Sequence, residues 1–267
     1  MNIYNENCLD TMKNRIADNT IDLTVTSPPY DDIRTYTDNI DTSWGEHIWK
    51  PIISELYRIT KPGGVVVWVV GDGTTKTGSE TLSSFKQALW ATECGFNQHD
   101  TMIYQKGGQG ANGSNRCYLQ DHEYMFVWSK GRPTTTNLIY DRKSTMKTNT
   151  YDVTRRRQDG TKVTKTVKKN VPEYGRRYNI WKCRTTGKES ARPEKSDHPA
   201  SFPDALCKDH IISWSNENDL VYDPFMGSGT TARICIHTNR KFIGSELSTE
   251  YFNLAKKLIN MESAPLF

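Results

Sequence analysis

Two short stretches of this chain combine residue types that could do chemistry. The first, Leu220-Val221-Tyr222-Asp223-Pro224-Phe225-Met226-Gly227-Ser228-Gly229-Thr230-Thr231, reads as a strand, a glycine turn and a helix start. Glycines let the backbone approach a ligand where a β-carbon would clash, and the N–H groups of such a turn face the crevice at the carboxyl end of the strand. Gly-x-Gly alone is a weak nucleotide signal, and the Gly-x-x-x-x-Gly-Lys-[Ser/Thr] phosphate loop is absent. Glu246 adds the weight: it comes after the next expected strand, seventeen residues beyond Gly229, where an acid is suited to holding ribose hydroxyls. The second stretch is Ser27-Pro28-Pro29-Tyr30, directly after the β-branched Ile21–Thr26. A double proline cannot continue a strand ladder, so the strand stops and presents the tetrapeptide at its carboxyl end. Taken alone, that tetrapeptide is an ordinary turn.

The elements that must position these residues are set by periodicity. Ile48, Ile52, Leu56 and Ile59 have helical spacing, with Pro51 expected in the first turn and Lys61-Pro62-Gly63-Gly64 ending the helix. Val65–Val70 predicts a buried strand, apolar on both faces. A helix over Glu80–Ala91 and strands around Asp100–Gln105 and Tyr124–Trp128 come next, and four glycines between Lys106 and Asn115 predict a mobile loop, a lid or mere slack. After His198-Pro199-Ala200-Ser201-Phe202-Pro203 come a helix reaching Trp214, a strand Asp219–Tyr222, a helix Thr230–His237, a strand Lys241–Ser245 and an amphipathic helix Thr249–Asn260. Strands alternating with helices predict an α/β fold on a doubly wound, mostly parallel sheet.

That pattern lapses between Gly131 and about Lys195. Tyr151–Arg157 and Thr161–Lys169 alternate β-branched and basic residues around Asp159-Gly160, a hairpin signal. The chain of 267 residues carries a net charge of +4, but Lys130–Lys195 holds 19 Lys and Arg against 6 Asp and Glu, whereas the rest holds 16 against 25. A basic ribbon of this kind points to a polyanionic partner; a solvated loop without a partner is the bland alternative. The expected division is a half at 1–130, a basic insertion at 131–195 and a second half at 196–267.

Other chemistries are set aside by composition. The six cysteines have no C-x₂₋₄-C spacing, so no metal site is expected, and scattered cysteines are usually buried small hydrophobes. With 25% charged residues and no apolar run of membrane length, no membrane association is expected. Met1–Asp10 lacks the pattern of a signal peptide, so a cytosolic location is expected.

Asp223-Pro224-Phe225-Met226-Gly227-Ser228-Gly229-Thr230-Thr231 with Phe242-Ile243-Gly244-Ser245-Glu246 resembles the S-adenosylmethionine motifs of amino-group DNA methyltransferases. Ser27-Pro28-Pro29-Tyr30 matches their catalytic tetrapeptide, [Asp/Asn/Ser]-Pro-Pro-[Tyr/Phe], and its place 196 residues before Asp223 resembles the circularly permuted beta class. The resemblance implies a Rossmann-like methyltransferase fold with S-adenosylmethionine as cofactor. It implies that Asp223, Phe225, Gly227, Gly229 and Thr230 line the methionine and ribose part of the site, that Glu246 binds the ribose, and that His198 and Phe202 belong to a motif closing over the methionine. Where the family shows Gly-Asp-Cys this chain has Glu6-Asn7-Cys8, so Asn7 would contact the adenine through its amide oxygen.

The implied reaction is methyl transfer to an exocyclic amino group, whose lone pair is delocalised into the base. Ser27 Oγ and the Pro28 carbonyl would hold its two N–H bonds, Pro29 would fix the turn, and Tyr30 would stack on a flipped base. Cytosine C5 chemistry is excluded because no cysteine comes directly after a proline. Ser27, with Arg34 and Tyr36 beyond it, favours N4-cytosine; N6-adenine is the alternative. The implied partner is double-stranded DNA, met by Arg155, Arg156, Arg157, Lys162, Lys165, Lys168 and Lys169. A cognate restriction endonuclease and a homodimer are further partners that no sequence feature selects. An RNA or protein methyltransferase, or a DNA-binding module with an inactive cofactor site, are the competing readings.

Overall fold

The computed structural model describes residues 1–29, 44–75, 77–107, 118–145, 148–183 and 203–263. They form two units, Met1–Asn137 with Asn179–Phe267, and Leu138–Tyr178. The first is built on a sheet whose strands in chain order are β1 (Asn2–Tyr4), β2 (Ile21–Thr26), β3 (Thr60–Val70), β4 (Asn97–Gln105), β5 (His122–Ser129), β10 (Ile180–Lys182), β11 (Leu220–Asp223) and β12 (Lys241–Ser245). Its helices are α1 (Cys8–Arg15), α2 (Glu46–Ile59), α3 (Ser83–Glu93), α4 (Asp204–Trp214), α5 (Thr230–His237) and α6 (Thr249–Ser263).

Sheet order is β1-β12-β11-β2-β3-β5-β4-β10. The pairings are parallel except where β5 runs antiparallel to both β3 and β4. From β11 the chain proceeds through α5 outward to β12, and from β2 through α2 the other way to β3. The direction of winding therefore reverses between β11 and β2, and the carboxyl ends of those two adjacent strands flank a crevice at a topological switch point.

Alternation along the strands explains why β3 is apolar on both faces. Val66, Trp68 and Val70 join Phe126 and Trp128 of β5 in one cluster with Trp49, Ile52, Ile53 and Leu56 of α2. Val65, Val67 and Val69 are equally buried on the opposite face. The wet edge of an indole is satisfied inside this core, with Trp68 Nε1 donating to Gln87 Oε1 at 2.7 Å.

Two local expectations change. Pro51 sits in the second turn of α2 rather than the first, because the chain is already helical from Glu46, with the Gly45 carbonyl accepting from Ile48 and Trp49 N–H. The carbonyl that proline leaves without a helical partner is that of His47, an exposed residue that water can reach. The helix ends at Ile59 and β3 begins at once, so Lys61-Pro62-Gly63-Gly64 forms a register shift within the strand, between the pairs Ile21–Thr60 and Leu23–Val65. Strand β10, which joins the far edge of the main sheet beside β4, has no counterpart in the sequence reading.

The second unit holds β6 (Arg142–Lys143) paired with β9 (Tyr174–Gly175), and β7 (Thr148–Arg156) paired antiparallel with β8 (Lys162–Asn170). The β7–β8 ribbon turns through Gln158-Asp159-Gly160, closed by Arg157 N–H donating to the Thr161 carbonyl at 2.8 Å, with Gly160 at φ +84°.

Candidate active site

The glycine turn begins where β11 ends. Gly227 and Gly229 adopt φ of +52° and +86°, the left-handed region that glycine enters without a β-carbon penalty. At Gly229 a β-carbon would also stand 3.2 Å from the Ala255 methyl of α6, so the close packing of α6 on this turn adds to the conformational reason for glycine. Gly229 caps α5, whose first-turn residues Thr230 and Thr231 are buried. A helix start has N–H groups without intrahelical acceptors, which suits it to a polar ligand.

Asp223, 2% exposed, is the hub. Its Oδ1 accepts from Thr26 Oγ1 at 2.7 Å and from Phe225 N–H at 3.0 Å, and its Oδ2 accepts from Thr231 Oγ1 at 2.6 Å. One carboxylate thus ties the last residue of β2 to the turn and to the first turn of α5. Ser27, Pro28 and Pro29 continue directly from Thr26, so this bond sets those three residues beside the glycine turn. The carboxylate is engaged by the chain's own donors, so Asp223 positions the turn and the end of β2. Burial raises its pKa from 3.8 to about 6 against the lowering effect of those three bonds.

Glu246 stands just past β12, adjacent to β11. Its Oε2 accepts from Gly227 N–H and its Oε1 from Ser248 N–H, both at 2.8 Å, so it braces the turn from the neighbouring strand end. Burial raises its pKa too, opposed by those backbone bonds. Asn7 lies near this end, since Glu246 N–H donates to the Tyr4 carbonyl and Asn5 Nδ2 to the Glu246 carbonyl. The Asn7 amide oxygen caps α1, accepting from Leu9 N–H at 2.9 Å, so the acceptor expected to face adenine is engaged as an N-cap.

The sequence reading named Phe225 but not the aromatic partners that hold its ring. Phe225 is half-buried and meets Trp68 edge-on at 6.1 Å and Trp44 at 5.6 Å, which fixes the ring between turn and sheet. It also missed Thr26 and Thr231 as partners of Asp223; the paired threonines after the second glycine were the available signal. Tyr30, His198, Phe202, Arg34, Tyr36 and most of the glycine-rich loop after Lys106 lie outside the described residues.

A family model described as DNA methylase matches residues 21–257. The chain belongs to the DNA methylase family. The orphan methyltransferase M.BamHII of Bacillus amyloliquefaciens is 50% identical to it over 249 residues, covering 92% of this chain and 91% of that protein. The type II methyltransferase M.HpaI of Haemophilus parainfluenzae is 28% identical over 259 residues, covering 96% and 73%. Two solved structures share the fold. They are the PvuII DNA methyltransferase (cytosine-N4-specific), with TM-score 0.70 at 16% identity over 98% of this chain and 86% of that one, and the M1.HpyAVI–SAM complex, with TM-score 0.60 at 23% identity over 96% and 98%. The methylase therefore acts on amino groups of DNA bases, with its glycine turn and its Ser-Pro-Pro segment at the ends of adjacent strands.

In the second unit of the methylase, Arg155, Arg156, Arg157, Lys162, Lys165 and Lys168 are all exposed on the ribbon or at its tip, while the side chain of Lys169 is not among those described. Other cations of the unit have partners within it: Arg177 pairs with Asp141, Arg142 lies over the Tyr178 ring at 4.7 Å and Arg176 over the Tyr140 ring at 6.0 Å. Among the described residues, no helix is long and apolar enough to cross a membrane.

Proposed function

We propose that this methylase transfers a methyl group from S-adenosylmethionine to the N4 amino group of a cytosine flipped out of double-stranded DNA. The observation that carries this reading is the Thr26–Asp223 bond, which ties the strand end leading into Ser27-Pro28-Pro29 to the strand end leading into the glycine turn at the switch point. The donor set fits the cofactor: a half-buried carboxylate, Glu246, accepts from a turn with glycines at its two left-handed positions, and carboxylate acceptors suit vicinal ribose hydroxyls. When bound, S-adenosylmethionine supplies an electrophilic methyl group.

Ser27 Oγ and the Pro28 carbonyl then accept the two amino N–H bonds. This would draw the nitrogen lone pair out of conjugation with the ring and align it; the N–C bond would form as the methyl–sulfur bond of the cofactor breaks, and one amino proton would pass by way of the Ser27 hydroxyl to water. Pro28 is buried and Ser27 half-buried, so these bonds act where water competes little. A neutral hydroxyl, weaker as an acceptor than a carboxylate, must approach the amino group closely whichever base is bound; N4-cytosine is favoured over N6-adenine because the serine-led tetrapeptide resembles that of the N4 enzymes. Mass spectrometry of nucleosides from DNA treated with the methylase should give N4-methylcytosine; N6-methyladenine alone would overturn the base and leave the enzyme class standing.

Two further results are expected. Replacing Glu246 with Gln keeps one acceptor and removes the charge, and should weaken S-adenosylmethionine binding by calorimetry roughly ten- to a hundred-fold, the scale of losing charge-assisted bonds. Unchanged affinity would remove Glu246 from the cofactor site. Separately, DNA affinity should fall with salt at a log–log slope of about −0.9 per phosphate neutralised. Arg155→Ala, Arg156→Ala and Arg157→Ala together should flatten that slope, and a slope equal to the parent's would take phosphate contact away from the ribbon.

A further inference from the structure

The ribbon divides its side chains between two unlike faces. Opposite pairs on one face are Thr150–Lys168, Asp152–Thr166, Thr154–Thr164 and Arg156–Lys162; those on the other are Tyr151–Val167, Val153–Lys165 and Arg155–Val163. The hydrogen bonds agree with this division, since Thr166 Oγ1 donates to Asp152 Oδ1 at 2.6 Å and the Thr154 and Thr164 hydroxyls meet at 2.8 Å. The residues of these four threonine-face pairs are all exposed, whereas Val153 and Val167 on the valine face are half-buried. Arg155 and Arg156, adjacent in sequence, therefore serve opposite faces.

Resting on the reading of this chain as a DNA methylase, we propose that the threonine face reads base edges in the major groove, with Asp152 accepting from the exocyclic amino group of a base in the recognition site. A two-stranded ribbon fits that groove. Thr150 to Arg156 spans about 20 Å at roughly 3.4 Å per residue, several base pairs in length.

The acid is the telling residue. A carboxylate at the centre of a basic face repels phosphate, so a face made only to grip the backbone gains nothing from Asp152. Cytosine N4 and adenine N6 are the amino donors that the major groove offers, and an aspartate is a pure acceptor matched to them. Thr166 occupies Oδ1 and so orients the carboxylate, leaving Oδ2 as the acceptor for a base. The Thr154–Thr164 pair spends one hydroxyl proton internally and keeps the other, which suits it to a neighbouring acceptor such as thymine O4 or purine N7. Arg156 and Lys162, opposite one another beside the hairpin tip, are placed for guanine O6 and N7 or for the flanking phosphates.

The test is methylation of a duplex pool with randomised flanks by the full-length chain, read by sequencing that detects the modified base. Asp152→Asn and Asp152→Ala should each lose discrimination at the same base-pair position by about ten- to a hundred-fold, while the other positions and the rate on the preferred site stay within a few-fold. Thr166→Val should loosen that position by a smaller factor. Arg155→Ala, on the opposite face, should keep the positional profile and change only affinity and its salt dependence. A parental profile in both Asp152 variants would overturn the proposal, as would a profile altered by Arg155→Ala instead. Absence of DNA methylation by the parent chain would instead strike the reading on which the proposal rests.

Discussion

Ser27→Ala is expected to lower the rate of methyl transfer by about two to three orders of magnitude, on the order of 2–4 kcal/mol in the barrier, the usual cost of one preorganised partner in an active site. The hydroxyl is asked to hold an amino N–H only as the nitrogen leaves conjugation, so its loss should appear in kcat. DNA and cofactor affinity should remain near the parent's, because Ser27 belongs to neither the ribbon nor the glycine turn. The smaller side chain disturbs little of the fold, since Thr26, one residue earlier, keeps its bond to Asp223. Single-turnover kinetics with bound DNA isolate the chemical step, and an unchanged rate there would refute the mechanism.

Asp223 should show its effect in stability first. Asp223→Ala leaves the Thr26 hydroxyl, the Phe225 N–H and the Thr231 hydroxyl without their acceptor in a site that is 2% exposed. Three orphaned donors at roughly 1–3 kcal/mol each, offset by roughly 3 kcal/mol from removing a buried charge, leave a loss on the order of 3 kcal/mol. For a chain of this length that lowers Tm by roughly 5–10 °C. Cofactor binding should fail with it, through the collapsed turn.

Asp223→Asn separates the charge from the bonds. The amide oxygen keeps two donors and the Thr231 hydroxyl can reverse to accept from the amide nitrogen. The folded pKa of about 6 lies above the ordinary value of 3.8, so the native state binds the proton more tightly than the unfolded chain. Its contribution to stability is therefore full below about pH 3.8 and is lost as pH rises through about 6. The parent's stability relative to Asp223→Asn should decline across that window, by an amount on the order of 3 kcal/mol. Denaturant unfolding of both proteins from pH 4 to 7 measures it, and a difference that stays flat with pH would show that this carboxylate is not held in a desolvated site.

Where structure depends on neighbours in the chain, residue types settle it alone. The helix Thr230–His237 and the strand Lys241–Ser245 are found residue for residue as their periodicity predicts, because helix spacing, strand alternation and capping act over a few positions. Gly227 and Gly229 announce a left-handed turn in their own names, and the Asp159-Gly160 hairpin does the same for the ribbon. The parallel sheet at the switch point was legible from alternating strands and helices, as was the pairing of a glycine turn with a strand-end acid. Only the tertiary structure decided which partner each polar group takes. The sequence places Asp223 in a cofactor motif, but the donors that occupy it include Thr26, 197 residues away, brought there because β11 lies beside β2. In the same way the Asn7 oxygen goes to its own helix, β5 turns antiparallel, and β10 finds the sheet edge next to β4. A hydrogen-bond acceptor and a strand edge are each satisfied by whatever donor the fold sets within about 3 Å, and that choice has no local signature.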